Sequence, residues 1–485
     1  MSTNGITTIT EHCTHEDAVI VEDLSHIGEI LRNLLDNRNI HDNHRPYLIH
    51  LSHSDLDGIG ALSLSYYMQW YINRSHGRWP NDITPRIERP LMEWHWTNKL
   101  GADFSRELHH MAEHVNHVLL AEFSRATCDQ SIGEAHIIPI TVLITDIGSI
   151  TPDLLRNEFV ALLRSPRAPQ VSFDIDIIVL DHHQNSILDG HDSVSLNVSY
   201  ANLPGKGNIT ASARFVIQTG DNHCGTSILW RALDNHDDAE LNVLRNTVEE
   251  ITRWDTGRGG NWYIPAEMRH DRNYHDNEVS EAVKLNQWWH LHERTCDDNE
   301  LALHTFMREL AARYASDLYN NIASVPTSVL YGNHMDAIWR DTVEMNNRFD
   351  QYHDKIRTVD RFINRALGVN VQGVQRDLDI PDSLWRAACD YLHAGTPRVG
   401  VYLYANKNDP YPSYTNYSRY IFTTEPTRWA WLMIIDTTLD DGRVRFDLRS
   451  GDPSVNMAAW AKKFGGGGHP CAAGFTINFN ETDRI

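Results

Sequence analysis

Three observations predict an α/β fold for this chain of 485 residues. Apolar segments of strand length alternate with helical patterns through the first half, as in a parallel sheet with crossover helices. Three of those segments end in acidic or histidine-bearing loops, at the edge where such sheets place their ligands. From Arg398 the pattern returns to short strands and ends in a glycine run. The length exceeds what one core usually supports. The expected division is an N-terminal helical extension over 1–45, a parallel-sheet domain over 46–256, a mostly helical connector over 257–395 and a smaller α/β domain over 396–485.

Each element has its own signal. Ile27, Ile30, Leu31, Leu34 and Leu35 recur at helical spacing and predict a helix on the body of the protein. Tyr47 to Leu51 reads as a strand, and Ile59 to Tyr71 as the helix after Asp57-Gly58. Strands are expected again over Ile138 to Ile144 and Ile175 to Leu180, with a helix opened by Thr151-Pro152 and running to Leu163. Thr226 to Leu233 and Leu241 to Trp254 are helical. In the connector, Leu303, Phe306, Met307, Leu310 and Tyr314 form one amphipathic face, and Phe349, Ile356, Val359 and Ile363 suggest a second long helix. Strands follow over Val399 to Tyr404, Trp429 to Ile435, Val444 to Leu448 and Gly474 to Phe479, with a helix over Val455 to Phe464.

Composition narrows the chemistry. The formal charge of −22 and the lack of any Lys/Arg block argue against a protein that tracks long nucleic acid by its backbone, although bound cations can still draw a small anion into one site. No apolar stretch approaches the ~18–20 residues of a membrane helix, and the N-terminus shows no secretory signal. The six cysteines are scattered without a Cys-x-x-Cys pair, so neither a zinc site nor a disulfide framework is expected and a cytoplasmic setting is natural.

The loops carry the chemistry. His53, Asp55 and Asp57 alternate in His53-Ser54-Asp55-Leu56-Asp57-Gly58, so an extended segment would present all three on one face. An EF-hand is excluded, because its twelfth position would need Glu and counting from Asp55 it is Tyr66. Asp146 follows the second strand, Asp181-His182-His183 the third, and Asp255 follows an amphipathic helix. Carboxylates and imidazoles gathered in this way suit a pair of divalent cations. The run Gly465-Gly466-Gly467-Gly468-His469-Pro470 suits close approach of an anionic group.

On these residues the chain resembles the DHH phosphoesterases. The tail Leu448-Arg449-Ser450, with Ala461 to Phe475 around the glycine run, resembles their C-terminal DHHA1 domain, and Cys224 to Trp230 resembles the helix start after their third motif. The Asp-Leu-Asp-Gly and Trp-Asp-Thr forms are closest to the nanoRNase (oligoribonuclease) and cyclic-nucleotide phosphodiesterase branch. The likeness covers about 46–256 and 396–480. It implies an active site in the cleft between the two domains, with two divalent cations, commonly manganese, with magnesium or cobalt as alternatives. The metal ligands it implies are His53, Asp55, Asp57, Asp146, His182 and Asp255, with Asp146 as the bridge. His53 departs from many relatives, which place two more residues before the first Asp. Asp181 would orient His182, and His183 would contact the scissile phosphate or the attacking water. Arg449, His469 and the backbone N–H groups of Gly466, Gly467 and Gly468 would receive the substrate phosphate.

The function so implied is hydrolysis of short phosphodiesters to mononucleotides by a hydroxide that two metals activate. The substrates are oligoribonucleotides of a few residues, or cyclic or linear dinucleotides. Pyrophosphatase or polyphosphatase activity, a RecJ-like single-strand exonuclease and a non-catalytic nucleotide-binding protein are the alternatives. No long duplex and no membrane are expected as partners, and a homodimer is left open. His110, His114 and His117 share a helical face but lack the Glu of His-Glu-x-x-His, so they read as a polar surface. Trp94, Trp96, Trp288 and Trp289 read as core, and Cys471 as a small packed residue.

Overall fold

The computed structural model describes residues 16–35, 47–75, 92–97, 104–128, 136–148, 150–164, 171–183, 193–200, 208–220, 222–233, 245–257, 263–295, 305–314, 331, 334–353, 357–358, 399–405, 418, 421–422, 429–436, 443–451, 455–462 and 465–478. They form a mixed α/β protein that divides into two compact units. The first comprises 1–259 and 281–333, the second 260–280 and 334–485. The segment expected as a single connector is therefore shared between the units.

The first unit is built on a six-stranded sheet. Its strands are β1 (Tyr47–His53), β2 (Met92–Thr97), β3 (His136–Thr145), β4 (Val171–Asp181), β5 (Ser193–Ser199) and β6 (Ile209–Gln218), in the order β2-β1-β3-β4-β6-β5. All pairings are parallel except β5 with β6. One face packs Ile49, Leu51, Ile140, Val142, Ile144, Ile175, Ile177, Val179 and Phe215 against Phe104, Leu108, Met111, Val115 and Leu119. Those last five recur every three or four residues along α3 (Phe104–Cys128), the spacing that gives a helix one apolar stripe.

The other face carries α2 (Leu56–Ser75), α5 (Gly225–Leu233) and α6 (Arg245–Asp255). The N-terminal helix α1 (Glu16–Leu35) lies on α5. Gly28 lets the two backbones touch, since a Cβ there would fall 1.6 Å from the Ala232 carbonyl oxygen, and Arg32 donates to the Leu233 carbonyl at 3.0 Å. Thr151 caps α4 (Pro152–Glu158) through the Leu154 N–H, and a 3-10 turn over Val160–Leu162 follows. Helix α8 (Glu281–Thr295) and the helical residues 305–314 complete the unit. Trp288 and Trp289 are buried against Phe306, which makes them core; the side chains of Trp94 and Trp96 lie outside the described residues.

The second unit has a sheet of β7 (Arg357–Thr358), β8 (Val399–Ala405), β9 (Trp429–Asp436), β10 (Arg443–Ser450), β11 (Gly467–His469) and β12 (Ala472–Asn478), in the order β11-β12-β10-β9-β8-β7. Helix α10 (Met457–Lys462) packs on it through Trp460, edge-on to Phe475, which stacks on Phe446. Helices α7 (Arg272–Glu278) and α9 (Met335–His353) belong to the same unit. Arg272 of α7 donates to Asp336 of α9, and Arg269, just before α7, donates to Asn347 and Asp350. The helix expected through Val359 stops at His353, and Arg357–Thr358 pair with β8 instead; Leu303, Ile356, Val359 and Ile363 lie outside the described residues. Among the described residues, no helix is long and apolar enough to cross a membrane.

Candidate metal centre

Register brings the acidic loops together. Ser52 pairs with Thr145, and Thr145 with Leu180, so the next residue on each strand, His53, Asp146 and Asp181, stands in one row at the carboxyl edge. Neighbouring parallel strands lie about 4.8 Å apart, so residues far apart in sequence become adjacent.

Two of the ligand groups that result, among the described residues, contain the six expected ligands. In one, donor atoms of His53, Asp55 and Asp146 lie within 4.8 Å of one another, and in the other those of Asp57, His182 and Asp255. Asp146 connects them. Its Oδ1 is 2.9 Å from His182 Nε2, and its Oδ2 is 4.0 Å from His53 Nδ1. His182 Nε2 also lies 3.5 Å from Asp57 Oδ2, and its Nδ1 3.5 Å from Asp255 Oδ2. The six residues that the resemblance implies as metal ligands are thus gathered in one place.

Local folding departs from expectation at Asp55 and Asp57. The strand ends at His53 and α2 begins at Leu56, so the three side chains do not alternate along one extended face. Asp55 acts as a helix cap, accepting the Gly58 N–H on Oδ1 at 3.0 Å. Gly58 sits inside the first turn, where a Cβ would meet the His53 carbonyl oxygen at 2.0 Å. Asp57 is fixed from another element. The first N–H groups of α5, Gly225 and Thr226, donate to its two carboxylate oxygens at 2.6 and 2.8 Å, and the Thr226 hydroxyl donates to its carbonyl. A helix N-terminus favours a carboxylate through its unpaired N–H groups and its dipole.

Asp181 differs as well. The resemblance implies that it orients His182, but its Oδ1 lies 2.8 Å from His183 Nδ1, and Asp255 takes the place beside His182 Nδ1. The side chains of adjacent residues leave a strand end in different directions, and His183 is the one turned back toward Asp181. Gly148 makes room for it, since a Cβ there would strike the His183 Cβ at 2.5 Å.

Burial and like charges shift the titration of several groups in the site. Burial, then the charges of Asp55, Asp57, Asp255 and Asp181, push the Asp146 carboxyl well above the usual range. Burial, then the neighbouring His183, lowers His182 to about 4, so at neutral pH its ring is uncharged, as a metal ligand must be. Burial also pulls His183 down, but Asp181 outweighs it and raises that imidazole to about 9. For Asp55, burial raises the carboxyl and the His53 charge and the Gly58 N–H more than reverse it. Asp146 Oδ2 and Asp181 Oδ2 are buried without a hydrogen-bond partner, and neither residue pairs with Lys or Arg, among the described residues. Buried acceptors left without a donor are costly, and a divalent cation is what such atoms accept.

The second unit arranges the other predicted residues. Arg449 and His469 both pair with Ala472, one from each side. Side chains directly opposite across strands share a face, so this row has a cation and an imidazole about two strand spacings apart with only a methyl group between them. Arg449 Nη1 donates to the Leu448 carbonyl at 2.9 Å. The glycine run corrects one expectation. The Gly466 N–H donates to the Ala461 carbonyl at 3.0 Å and closes the end of α10, so it is not turned toward a ligand. Gly467 and Gly468 belong to β11, and Gly468 has φ 133°, which favours glycine. Cys471 is exposed and not packed.

Sequence reasoning gave no role to Gly225, Thr226, His50 or Gly148. A Gly-Thr-Ser sequence ahead of an apolar helix was the available signal for the first two, and a histidine within an apolar strand for the third.

No family model and no curated protein matches the sequence. Among solved structures, the chain is similar to an exopolyphosphatase-related protein from Bacteroides fragilis (11% identity, TM-score 0.37, covering 98% of this chain and 95% of that one). It is also similar to RecJ in complex with Mn2+ from Thermus thermophilus (11%, 0.34, 94% and 52%) and to a pGpG-specific phosphodiesterase, PggH, from Vibrio cholerae (11%, 0.33, 90% and 95%). Likenesses of this size carry no argument about activity, which rests on the site itself.

Proposed function

We propose that the chain is a metal-dependent phosphoesterase of the DHH type that hydrolyses short phosphodiesters to mononucleotides. The observation that carries this reading is the pair of adjacent ligand groups joined by Asp146, in a buried carboxylate cluster whose charge Lys and Arg leave uncompensated at Asp146. His53, Asp55, Asp146, Asp57, His182 and Asp255 would hold two divalent cations, and manganese is among the ions that such a mixed carboxylate and imidazole set suits. When bound, such a pair lowers the pKa of a water and stabilises both the attacking and the leaving oxygens of an in-line displacement.

The protein's own groups do the rest. Asp181 accepts from His183 Nδ1 at 2.8 Å and so fixes the ring, whose other nitrogen is left to face a phosphate oxygen or the leaving group. Asp57 stays in place because α5 grips both its oxygens. Arg449 and His469, spaced by Ala472, suit the two sides of one phosphate. The charge of −22 supports short substrates over long strands.

The test is a panel of labelled di- to pentaribonucleotides, cyclic and linear dinucleotides, cyclic AMP and polyphosphate, each with Mn2+. Release of mononucleotides from the short oligonucleotides or dinucleotides is expected; cleavage of polyphosphate alone overturns the nucleotide reading.

A further inference from the structure

Behind Asp146 runs a buried chain of hydrogen bonds that the reading above does not use. Asp146 holds a φ of 59°, the left-handed region, which residues with a Cβ enter only rarely. Such a conformation persists only where its surroundings fix it. Three contacts surround the turn. A Cβ on Gly225 would lie 2.8 Å from the Asp146 Cβ, and one on Gly148 would meet His183. The third contact is the grip on Thr145, the residue before the turn.

Thr145 Oγ1 lies 2.7 Å from Ser52 Oγ and 3.0 Å from His50 Nε2, and the Ser52 hydroxyl also reaches the Thr145 carbonyl at 3.0 Å. His50 Nδ1 is 3.0 Å from Ser65 Oγ, whose hydroxyl reaches the Leu62 carbonyl at 2.9 Å. Ser52, Thr145 and His50 are all fully buried, and Ser65 nearly so. Ser65 donates to the Leu62 carbonyl, Thr145 donates to Ser52, and Ser52 donates to the Thr145 carbonyl, while the His50 ring bridges Ser65 and Thr145. Removing one of these groups leaves a buried polar atom without its partner. The chain of bonds ties β1, β3 and α2 together directly behind Asp146.

We infer that His50 is a positioning residue for the metal centre: through Thr145 it fixes the backbone turn that aims Asp146, and so sets the affinity for divalent cations. The inference rests on the two-cation reading above. Outer partners of metal ligands typically change affinity or activity 10–100-fold when removed.

The experiment is Mn2+ titration of the full-length chain by electron paramagnetic resonance, with thermal unfolding of the metal-free protein measured alongside. Thr145→Val keeps the side-chain shape and removes the hydroxyl, whereas Thr145→Ser keeps the hydroxyl. Thr145→Val is expected to bind Mn2+ roughly tenfold or more weakly, with Thr145→Ser close to wild type. Ser65→Ala, which cuts the chain at its far end without touching Thr145, is the second variant, with a loss of about threefold expected and the order of effects set by distance from Asp146. A lowered unfolding midpoint with unchanged Mn2+ affinity in both Thr145→Val and Ser65→Ala shows a structural role only and overturns the inference. Absence of Mn2+ binding by the wild type, or wild-type affinity in Asp146→Ala, instead brings down the two-cation reading, and the inference with it.

Discussion

Asp146 concentrates the strain of this protein. It is buried, left-handed in backbone and surrounded by four other carboxylates that raise its own pKa. A carboxyl whose pKa is higher folded than unfolded stabilises the fold below its unfolded value, and that contribution is lost as pH rises through the folded value. The Asp146 contribution to the stability of metal-free protein is therefore expected to fall as pH climbs above about 4, and Asp146→Asn to remove that part of the pH dependence, because Asn tolerates the left-handed region and has no charge. Denaturation midpoints of both proteins across a pH series, in the presence of a chelator, measure this; parallel pH slopes contradict it. The same variant is expected to lower turnover at least about 100-fold while unfolding at a higher temperature without metal. Stability and activity move in opposite directions when a residue is kept for a ligand and not for the fold.

Elements, in turn, explain what the sequence made legible. Strands β1, β3 and β4 could be found because each presents a mostly apolar run, the mark of a parallel strand buried on both faces, and the acidic residue after each run located the edge. Strand β5, a half-buried antiparallel edge that needs no apolar run, escaped because Ser193–Ser199 is rich in Ser, and β6 because Thr210, Ser212 and Arg214 interrupt the apolar residues of its first half. Asp55 and Asp57 were assigned to an extended face because their alternation fits a strand, but Asp55 also fits a helix cap, and the cap prevailed. Gly466 had two readings of the same kind, and its N–H closes a helix. The role of α5 was out of reach, because the partner of its Gly225 and Thr226 N–H groups lies 168 and 169 residues away. Gly225→Ala tests that role. The added methyl would crowd Asp146 Cβ at 2.8 Å and Asp57 Oδ2 at 3.1 Å, so a stability loss of about 1–3 kcal/mol by chemical denaturation is expected, together with weaker Mn2+ binding. An unperturbed variant contradicts the account of how Asp57 is held.

At the scale of the whole molecule, two α/β units share a chain that passes between them more than once, and each gathers a different set of side chains. One gathers carboxylates and imidazoles at the edge of a mostly parallel sheet. The other sets an arginine and a histidine across an alanine on a mixed sheet. The acidic balance of the sequence leaves little to hold a long polyanion, so the account predicts rates that fall as oligonucleotide length grows. The most direct test of the central claim is hydrolysis of a labelled diribonucleotide after metal has been stripped and then restored. The account predicts no turnover in the stripped protein, recovery with Mn2+ in the wild type and none in Asp146→Ala. Full turnover in the stripped protein, or recovery in Asp146→Ala equal to wild type, would contradict it.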